Sequence, residues 1–291
     1  MHQYLKAIGF GDITLKKQEK ELLNQVEETF THQTIVSYNQ ETDYCEYQKT
    51  YGVGMGIVIC GEMDAEENFE REYYFPIFRG SGVTSYADIT VERKIDKEIY
   101  MGICEDIRVD ISLIFHVQNG VEYMKELQHG LVPKKGTSLT LSGLALSGKI
   151  LFPVQKNEQQ IKTKKEENLN RLSLLNAARK GDQTAIETLT LDDIDTYSKV
   201  SRRLISEDVF SIVDTYLMPF GVECDQYSIL GEIMKFGTAK NRETGEEIYQ
   251  MQLQVNELKF DVCVPVAKVL GEPEVGRRFK ANIWLQGYIN F

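Results

Sequence analysis

Residues 227–266, YSILGEIMKFGTAKNRETGEEIYQMQLQVNELKFDVCVPV, carry the clearest secondary-structure signal in the chain. Apolar and polar side chains alternate in Ser228–Phe236, Glu247–Val255 and Leu258–Val264, which is the spacing of β-strands with one buried face. The dipeptide Thr244-Gly245 in the NRETGEE turn predicts that the first two strands form a hairpin. This stretch therefore predicts a strand-rich C-terminal part.

The residues that follow extend this pattern. Val266–Leu270 fits a short helix, and Arg277–Phe291 returns to the alternation of a strand. The order strand, hairpin, strand, short helix, strand is similar to an OB barrel, which has five strands. Four strands are plain, and we expect the fifth from the few residues after Gly287. The prediction for 227–291 is an OB-like β-barrel module.

The first half of the chain mixes helix and strand signals. Leu15–Phe30 has apolar side chains at helical spacing on a polar background, which predicts an amphipathic surface helix. Gly56–Gly61 is a short β-branched run, and Phe69–Phe78 is rich in aromatic residues, so both predict strands. Glu105–Phe115 alternates apolar and polar side chains, which predicts a half-buried strand, followed by a helix that Gly130 ends.

A Gly/Ser-rich stretch comes next. Thr137–Leu141 and Lys149–Val154 flank it and predict a hairpin. Within it, GLALSGK at Gly143–Lys149 has the spacing of a phosphate-binding loop. Ile150 stands where that loop needs a Ser or Thr for magnesium, so a hairpin turn is the preferred interpretation.

The middle of the chain predicts helices. Gln155–Glu167 has almost no apolar residues and indicates a linker or a solvated helix entry. The dipeptide Gly181-Asp182 is expected to end the first helix. Thr190 and the acidic residues after it resemble the capping box at the start of a second helix, and Ser206-Glu207-Asp208 resembles the start of a third. The fold class is α+β, with a mixed sheet-and-helix domain, a helical connector and the OB-like module at 1–153, 154–226 and 227–291.

Charge restricts the classes of partner. The chain has 33 basic and 44 acidic residues, a net charge of −11, which disfavours broad binding to nucleic acid or to anionic membranes. Residues 227–291 carry 8 basic and 8 acidic groups, so this module could still present a local basic face. No run approaches the length of a membrane span, and no membrane partner is expected.

The five cysteines indicate the cellular compartment of the protein. They are odd in number and scattered through the sequence, which fits reduced thiols better than a disulfide framework. The first residues, MHQYLKAIGFGD, lack the apolar core of a secretory signal. We expect a cytoplasmic protein.

Metal and anion motifs are weak. The four histidines are isolated from one another and from the cysteines, so neither a metal site nor a cofactor is predicted. Arg79-Gly80-Ser81-Gly82 could form a backbone nest for an anion. An ordinary turn explains that sequence better and is the preferred interpretation.

One set of residues could support catalysis. Asp106, Arg108 and Asp110 share one face of the predicted strand, and Glu72 lies on the aromatic-rich strand. Carboxylates near an arginine can have separated pKa values, as acid–base chemistry requires. The solvent-exposed face of a sheet has the same sequence pattern, and this interpretation is favoured.

A second set could bind nucleic acid. Arg277, Arg278 and Lys280 form a basic cluster among aromatic residues that include Trp284. Cations interleaved with aromatic rings are typical of single-strand nucleic-acid binding. The alternative is that most of these aromatic side chains fill the core of the barrel.

Three strings carry a family resemblance: YLKAIGF near the start, EDVFSIVDTYLMPFGVECDQYS, and LGEPEVGRRFKANIWLQGYINF at the end. They resemble a bacterial family called domain of unknown function 3881, over nearly the whole chain. The resemblance implies a cytosolic bacterial protein treated as one unit. It implies no activity, cofactor or site residue.

Three functions remain open at this point. The absence of a catalytic motif favours a non-enzymatic protein-binding or scaffold role. The first alternative is single-stranded nucleic-acid binding by the OB-like module through Arg277, Arg278, Lys280 and Trp284. The second is an enzyme that uses the carboxylates of the first domain.

Overall fold

The computed structural model describes residues 1–39, 41–94, 98–109, 111–130, 137–154 and 158–291. The helices in chain order are α1 (Lys16–Glu28), α2 (Gly120–Gln128), α3 (Glu158–Arg179), α4 (Gln183–Arg203) and α5 (Val209–Ile212). Two 3₁₀ turns lie at Gln3–Ile8 and Val266–Lys268. Within this described part, no helix is both long enough and apolar enough to cross a membrane.

The strands from the first half of the chain are β1 (His32–Ser37), β2 (Thr42–Gly52), β3 (Met55–Asp64), β4 (Phe69–Phe78), β5 (Ile89–Arg93), β6 (Tyr100–Cys104), β7 (Leu113–Val117) and β8 (Ser138–Leu151). Those from the second half are β9 (Tyr216–Pro219), β10 (Gln226–Lys240), β11 (Glu247–Val255), β12 (Leu258–Pro265), β13 (Val269–Leu270) and β14 (Arg278–Asn290). The fold class is therefore α+β, as predicted.

Strands β1 to β4 form an antiparallel sheet in sequence order. Short connections join them, and the β-branched run Ile57–Ile59 of β3 is buried at its centre. The predicted strands at Gly56–Gly61 and Phe69–Phe78 and the predicted helix at Leu15–Phe30 are confirmed by β3, β4 and α1. This sheet forms one wall of the hydrophobic core.

The other strands of the described residues form a ten-stranded sheet. Five of them each pair with two neighbours of the same set, in the order β10, β11, β12, β8, β14 and back to β10. The pairing of β12 with β8 is parallel and the other four are antiparallel. Parallel pairing of β14 with β7 extends the sheet to β6 and β5.

The fifth strand of this ring is not where the sequence predicted it. Gly287 lies inside β14, and β8 from the first half of the chain lies between β12 and β14. The predicted hairpin around Gly143–Lys149 is also wrong, because β8 runs through it as one strand. A side chain at Gly148 would come within 2.2 Å of the Phe279 ring, so these glycines allow close packing.

The ring of strands includes residues from two of the three predicted domains, whose boundaries at 153 and 227 stay a prediction. The ring joins a strand that precedes position 153 to four strands that follow position 225. One hydrophobic cluster contains buried residues from both, such as Leu144 of β8 and Ile283 of β14. The two ends of the chain therefore fold around a common core.

Two other predictions are wrong in detail. The predicted strand Glu105–Phe115 begins only at Leu113, because the residues before it form a turn closed by a bond from the Val109 amide to the Asp106 carbonyl. The helix predicted to start at Thr190 starts at Gln183, where the Asp182 side chain caps it.

Candidate functional site

Asp106 and Arg108, two of the predicted catalytic residues, lie together. Arg108 Nε donates to Asp106 Oδ1 at 2.8 Å, and its Nη2 donates to the Thr84 carbonyl at 2.7 Å. Ser85 Oγ also donates to the Asp106 carboxylate. Burial alone would raise the pKa of Asp106, but the hydrogen bonds from Arg108 and Ser85 lower it to about 2. The carboxylate thus holds the loop at 84–85 in place and is a poor proton acceptor.

This pair borders a cleft of about 580 Å³ between the loop at 83–88, the turn at 105–108 and helix α3. Asn176 and Arg179 line its α3 side. Glu72 lies on β4, in the other sheet, and accepts a bond from the Tyr44 hydroxyl at 2.8 Å. Asp110 lies outside the described residues. The structure brings Asp106 and Arg108 together but does not bring Glu72 to them.

Arg278, a predicted nucleic-acid contact, is buried. Its Nε donates to the Phe152 carbonyl at 2.9 Å, its Nη1 to that of Val213 at 2.6 Å, and its Nη2 to that of Phe210 at 2.7 Å. Burial lowers the pKa of its guanidinium. Arg278 therefore ties the end of the connector to β14 and has its donors directed at backbone.

The other two cations of the basic cluster contact the chain itself. Arg277 pairs with Glu274 at 2.6 Å and donates to the Glu272 carbonyl at 2.9 Å. The Lys280 ammonium lies 4.4 Å from the centroid of the Phe210 ring. A cleft of about 610 Å³ beside Arg277 is also lined by the carboxylates of Asp214, Glu232 and Glu274. The charge of the described residues in this region is thus mixed.

Trp284 is buried in an aromatic cluster. Its indole Nε1 donates to Asp225 Oδ2 at 2.7 Å, and its ring stacks on Tyr4 with centroids 5.4 Å apart. The rings of His2 and His116 also contact it, at 4.8 and 5.0 Å. Burial lowers the pKa of His116 to about 3 and that of His2 to about 4. Trp284 is part of the core and joins the N-terminal turn to β14.

The turn between β10 and β11 contacts the N-terminal segment. Asn241 Nδ2 donates to the Ile8 carbonyl at 2.7 Å, and Thr244 Oγ1 donates to the Gly9 carbonyl at 2.6 Å. On β11, Gln250 Nε2 donates to the Val53 carbonyl at 2.6 Å. This side of the ring is therefore contacted by the chain at Ile8, Gly9 and Val53.

The proposed anion nest is also occupied by the chain. The Ser81 amide donates to the carboxylate of Asp261 on β12, so the anion at this turn is a side chain of the protein. Arg79 beside it lies over the Tyr288 ring, 3.8 Å from the centroid. The turn therefore fastens the loop after β4 to the ring of strands.

Helices α3 and α4 form a hairpin, which we call the helical hairpin. Gly181, in the left-handed region with φ +88°, separates the two helices, and Arg171 pairs with Asp193 at 2.8 Å across them. Ala185 and Leu189 of α4 are buried. Three large apolar side chains further along α4 are exposed, Leu191 at 67%, Ile194 at 58% and Tyr197 at 75%. We call these three residues the α4 stripe.

Sequence reasoning missed the α4 stripe. Leu191 and Ile194 fall directly after Thr190, in the segment interpreted as the first turn of a helix. Their spacing of three, with Tyr197 three further on, is a helical signal. Spacing alone cannot tell whether such a face packs against the core or is exposed to solvent.

The two sheets, their common core and the helical hairpin define a mixed α+β protein with an exposed apolar helix face. The chain belongs to the family described as "Domain of unknown function, E. rectale Gene description (DUF3881)", whose profile matches residues 5–287. The resemblance inferred from the three sequence strings is thereby confirmed. No curated protein and no solved structure matches the chain.

Proposed function

We propose that the protein is a non-enzymatic protein-binding or scaffold protein and that the helical hairpin is its interaction element. The observation that carries the proposal is the exposure of the α4 stripe. Every residue from Thr190 to Tyr197 is exposed, including all three large apolar side chains. Contiguous exposed apolar surface is typical of sites where another protein binds.

The energetics support this interpretation. Burying one leucine or isoleucine side chain stabilises a complex by about 1.5–3 kcal/mol, so the stripe offers several kcal/mol to a partner that covers it. The flanking carboxylates of Asp192 and Asp195 keep the free surface soluble. An apolar centre with a polar rim is the usual composition of a protein interface.

We also propose that the ring of five strands is an OB-like barrel whose fifth strand, β8, comes from the first half of the chain. The order of pairing supports the proposal, with β10, β11 and β12 in sequence and β8 parallel to β12. In this role the barrel is the frame that carries the hairpin. Arg278 supplies one link, since it binds the carbonyls of the connector residues Phe210 and Val213.

Nucleic-acid binding has less support from the geometry. OB barrels bind oligonucleotides on the face of their second and third strands and on the loop between the first and second. The equivalent parts here are β11, β12 and the turn at 241–246. The turn contacts Ile8 and Gly9, β11 contacts Val53, and Asp261 of β12 accepts a bond from the Ser81 amide. The cations Arg277 and Arg278 are also engaged within the chain.

An enzymatic role has less support for a similar reason. A general base needs a pKa near the working pH and a free lone pair directed at substrate. Asp106 has a pKa of about 2 and accepts bonds from Arg108 and Ser85. The proposal places the protein in the bacterial cytoplasm, and the five unpaired thiols support this setting.

The proposal is tested by capture from cells that contain the protein natively. The tagged full chain is compared with the double variant L191Q/I194Q, and V222Q is the control because Val222 is fully exposed on a different surface. We expect the wild type and V222Q to retain the same stoichiometric protein, a second copy included, and the double variant to lose it. Equal recovery by all three would contradict the proposal, provided that circular dichroism shows equal helix content.

A further inference from the structure

We infer that the partner of the α4 stripe is a second copy of this chain, with the two α4 helices packed antiparallel. This inference rests on the proposed function and names its partner. It comes from the pattern of charge along the exposed face of α4. The same helix carries both halves of a complementary surface.

Four exposed residues of α4 share one face with the half-buried Ser198, in the order Glu187, Leu191, Ile194 and Arg202. At 3.6 residues per turn these four positions lie within an arc of about 80°. The arc is opposite the side on which Ala185 and Leu189 are buried. One face therefore has an acidic end, an apolar centre and a basic end.

Glu187 and Arg202 are equally far along the helix from a point between Ile194 and Asp195. A twofold axis at that point places Glu187 opposite Arg202 of the second copy and Arg202 opposite Glu187 of the second copy. It also places Ile194 beside Ile194 of the second copy, whereas Leu191 lies opposite Ser198 of the second copy. An interface of this kind uses the same surface on both copies, as twofold symmetry requires.

The order of charges along the whole of α4 also favours antiparallel packing of the two copies. The acidic residues of α4 come first, and the basic residues follow: Glu187, Asp192, Asp193 and Asp195, then Lys199, Arg202 and Arg203. Antiparallel packing brings the acidic half of each helix to the basic half of the other, whereas parallel packing would oppose like charges. A separate acidic or basic partner helix would match only one half.

Among the described residues, internal ion pairs leave three of the seven charges of α4 unpaired, and one of these belongs to Asp192. Asp193 pairs with Arg171, Asp195 with Lys199, and Arg203 with Glu207. Within the described part of the chain, Glu187 and Arg202 make no ion pair. They are the two charged positions that the twofold axis brings together.

The test is the molar mass of the full chain in solution, measured by sedimentation equilibrium at low ionic strength. We expect the wild type to approach twice the chain mass of 33.4 kDa as concentration rises. The single reversals E187R and R202E each place like charges together at two symmetric positions. Each should raise the dissociation constant by about tenfold or more, and high salt should reduce the effect.

Two further samples separate pairing from a general effect of charge. The double reversal E187R/R202E restores opposite charges and should return the dissociation constant to within about threefold of the wild type. An equimolar mixture of the two single variants should form a heterodimer, because both contacts are then complementary.

A wild type that stays monomeric up to its solubility limit would overturn the inference, and so would a double reversal no better than the single ones. Failure here is distinguishable from failure of the proposed function. If the wild type is monomeric while L191Q/I194Q loses a captured protein, the stripe binds a different protein and the proposed function stands. If neither assay responds to the stripe, both fail.

Discussion

The guanidinium Nη1 of Arg171 on α3 lies 2.8 Å from the carboxylate Oδ1 of Asp193 on α4. This pair, with Ala185 and Leu189 buried, fixes which side of α4 faces α3. Leu191 and Ile194 of α4 are consequently directed away from α3. Since both partners of the ion pair are partly exposed, it contributes at most about 1 kcal/mol and acts chiefly in orientation.

Replacing Arg278 with methionine should destabilise the fold. The substitution keeps much of the volume but removes the donors to three backbone carbonyls, at Phe152, Phe210 and Val213. We expect the free energy of unfolding to fall by about 2–4 kcal/mol in urea titrations. The control R277M removes a partly exposed cation and should change the free energy of unfolding by less than about 1 kcal/mol. Equal effects of both variants would contradict the anchoring role of Arg278.

Replacing Gly148 with alanine should disrupt the ring of strands. The new Cβ would lie 2.2 Å from the Phe279 ring, so β8 and β14 would have to separate. A loss of about 1–3 kcal/mol in the free energy of unfolding is expected from such overpacking. The matched control is G237A, since Gly237 also lies in a strand but no atom lies within 4 Å of its Cβ position. A neutral G148A variant would show that β8 does not pack against β14 in this way.

These positions illustrate how far the sequence alone predicts the structure. Strands β10, β11 and β12 are predictable because alternation and the Thr244-Gly245 turn are local signals. The role of β8 is not, because its pairing with β14 joins residues that are 127 to 152 positions apart. Its glycines have the composition of a turn and become strand residues only because Phe279 and Ile283 pack over them.

The candidate sites also differ in how far the sequence alone predicts their contacts. Asp106 and Arg108 are close in sequence, so their contact was predictable. The predicted use of this pair was catalysis, whereas in the structure the pair holds the loop at 84–85. The partners of Arg278 are backbone carbonyls more than 60 residues away, which no sequence pattern indicates. The α4 stripe was missed because helical spacing is the same for a buried face and an exposed one.

Glu46 should make stability depend on pH. Burial, and then the nearby charge of Glu122, raises the pKa of the Glu46 carboxyl to about 8 in the folded chain. The folded state therefore holds a proton that the unfolded state releases near pH 4.5, and stability falls as pH rises until about pH 8. The change E46Q imitates the protonated group and should remove this fall.

The window for this comparison is about pH 6.5 to 8. Burial lowers the pKa of His116 to about 3 and that of His2 to about 4, so these groups add stability as pH rises to 6.5 and add nothing further above it. Urea unfolding at several pH values in this window should show a decline for the wild type and a smaller slope for E46Q. Parallel slopes would mean that Glu46 is ionised in the folded protein.

The fluorescence of the single tryptophan should report a buried site. Trp284 is 6% exposed, and its indole donates to Asp225. We expect an emission maximum well to the blue of free tryptophan and little quenching by iodide. The change D225N should alter the emission, because it replaces the charged acceptor of the indole hydrogen bond. Emission like that of free tryptophan would contradict the burial of this ring.

The most direct test of the central claim is disulfide trapping along α4. The variants I194C and T184C each place one thiol on the outer side of α4, in a background where the exposed Cys224 is replaced by serine. Under mild oxidation, antiparallel pairing about position 194 predicts a covalent dimer for I194C and little for T184C, whose copies would lie at opposite ends of the interface. Equal trapping of both variants, or none of I194C, would contradict the claim that α4 binds a second copy of the chain.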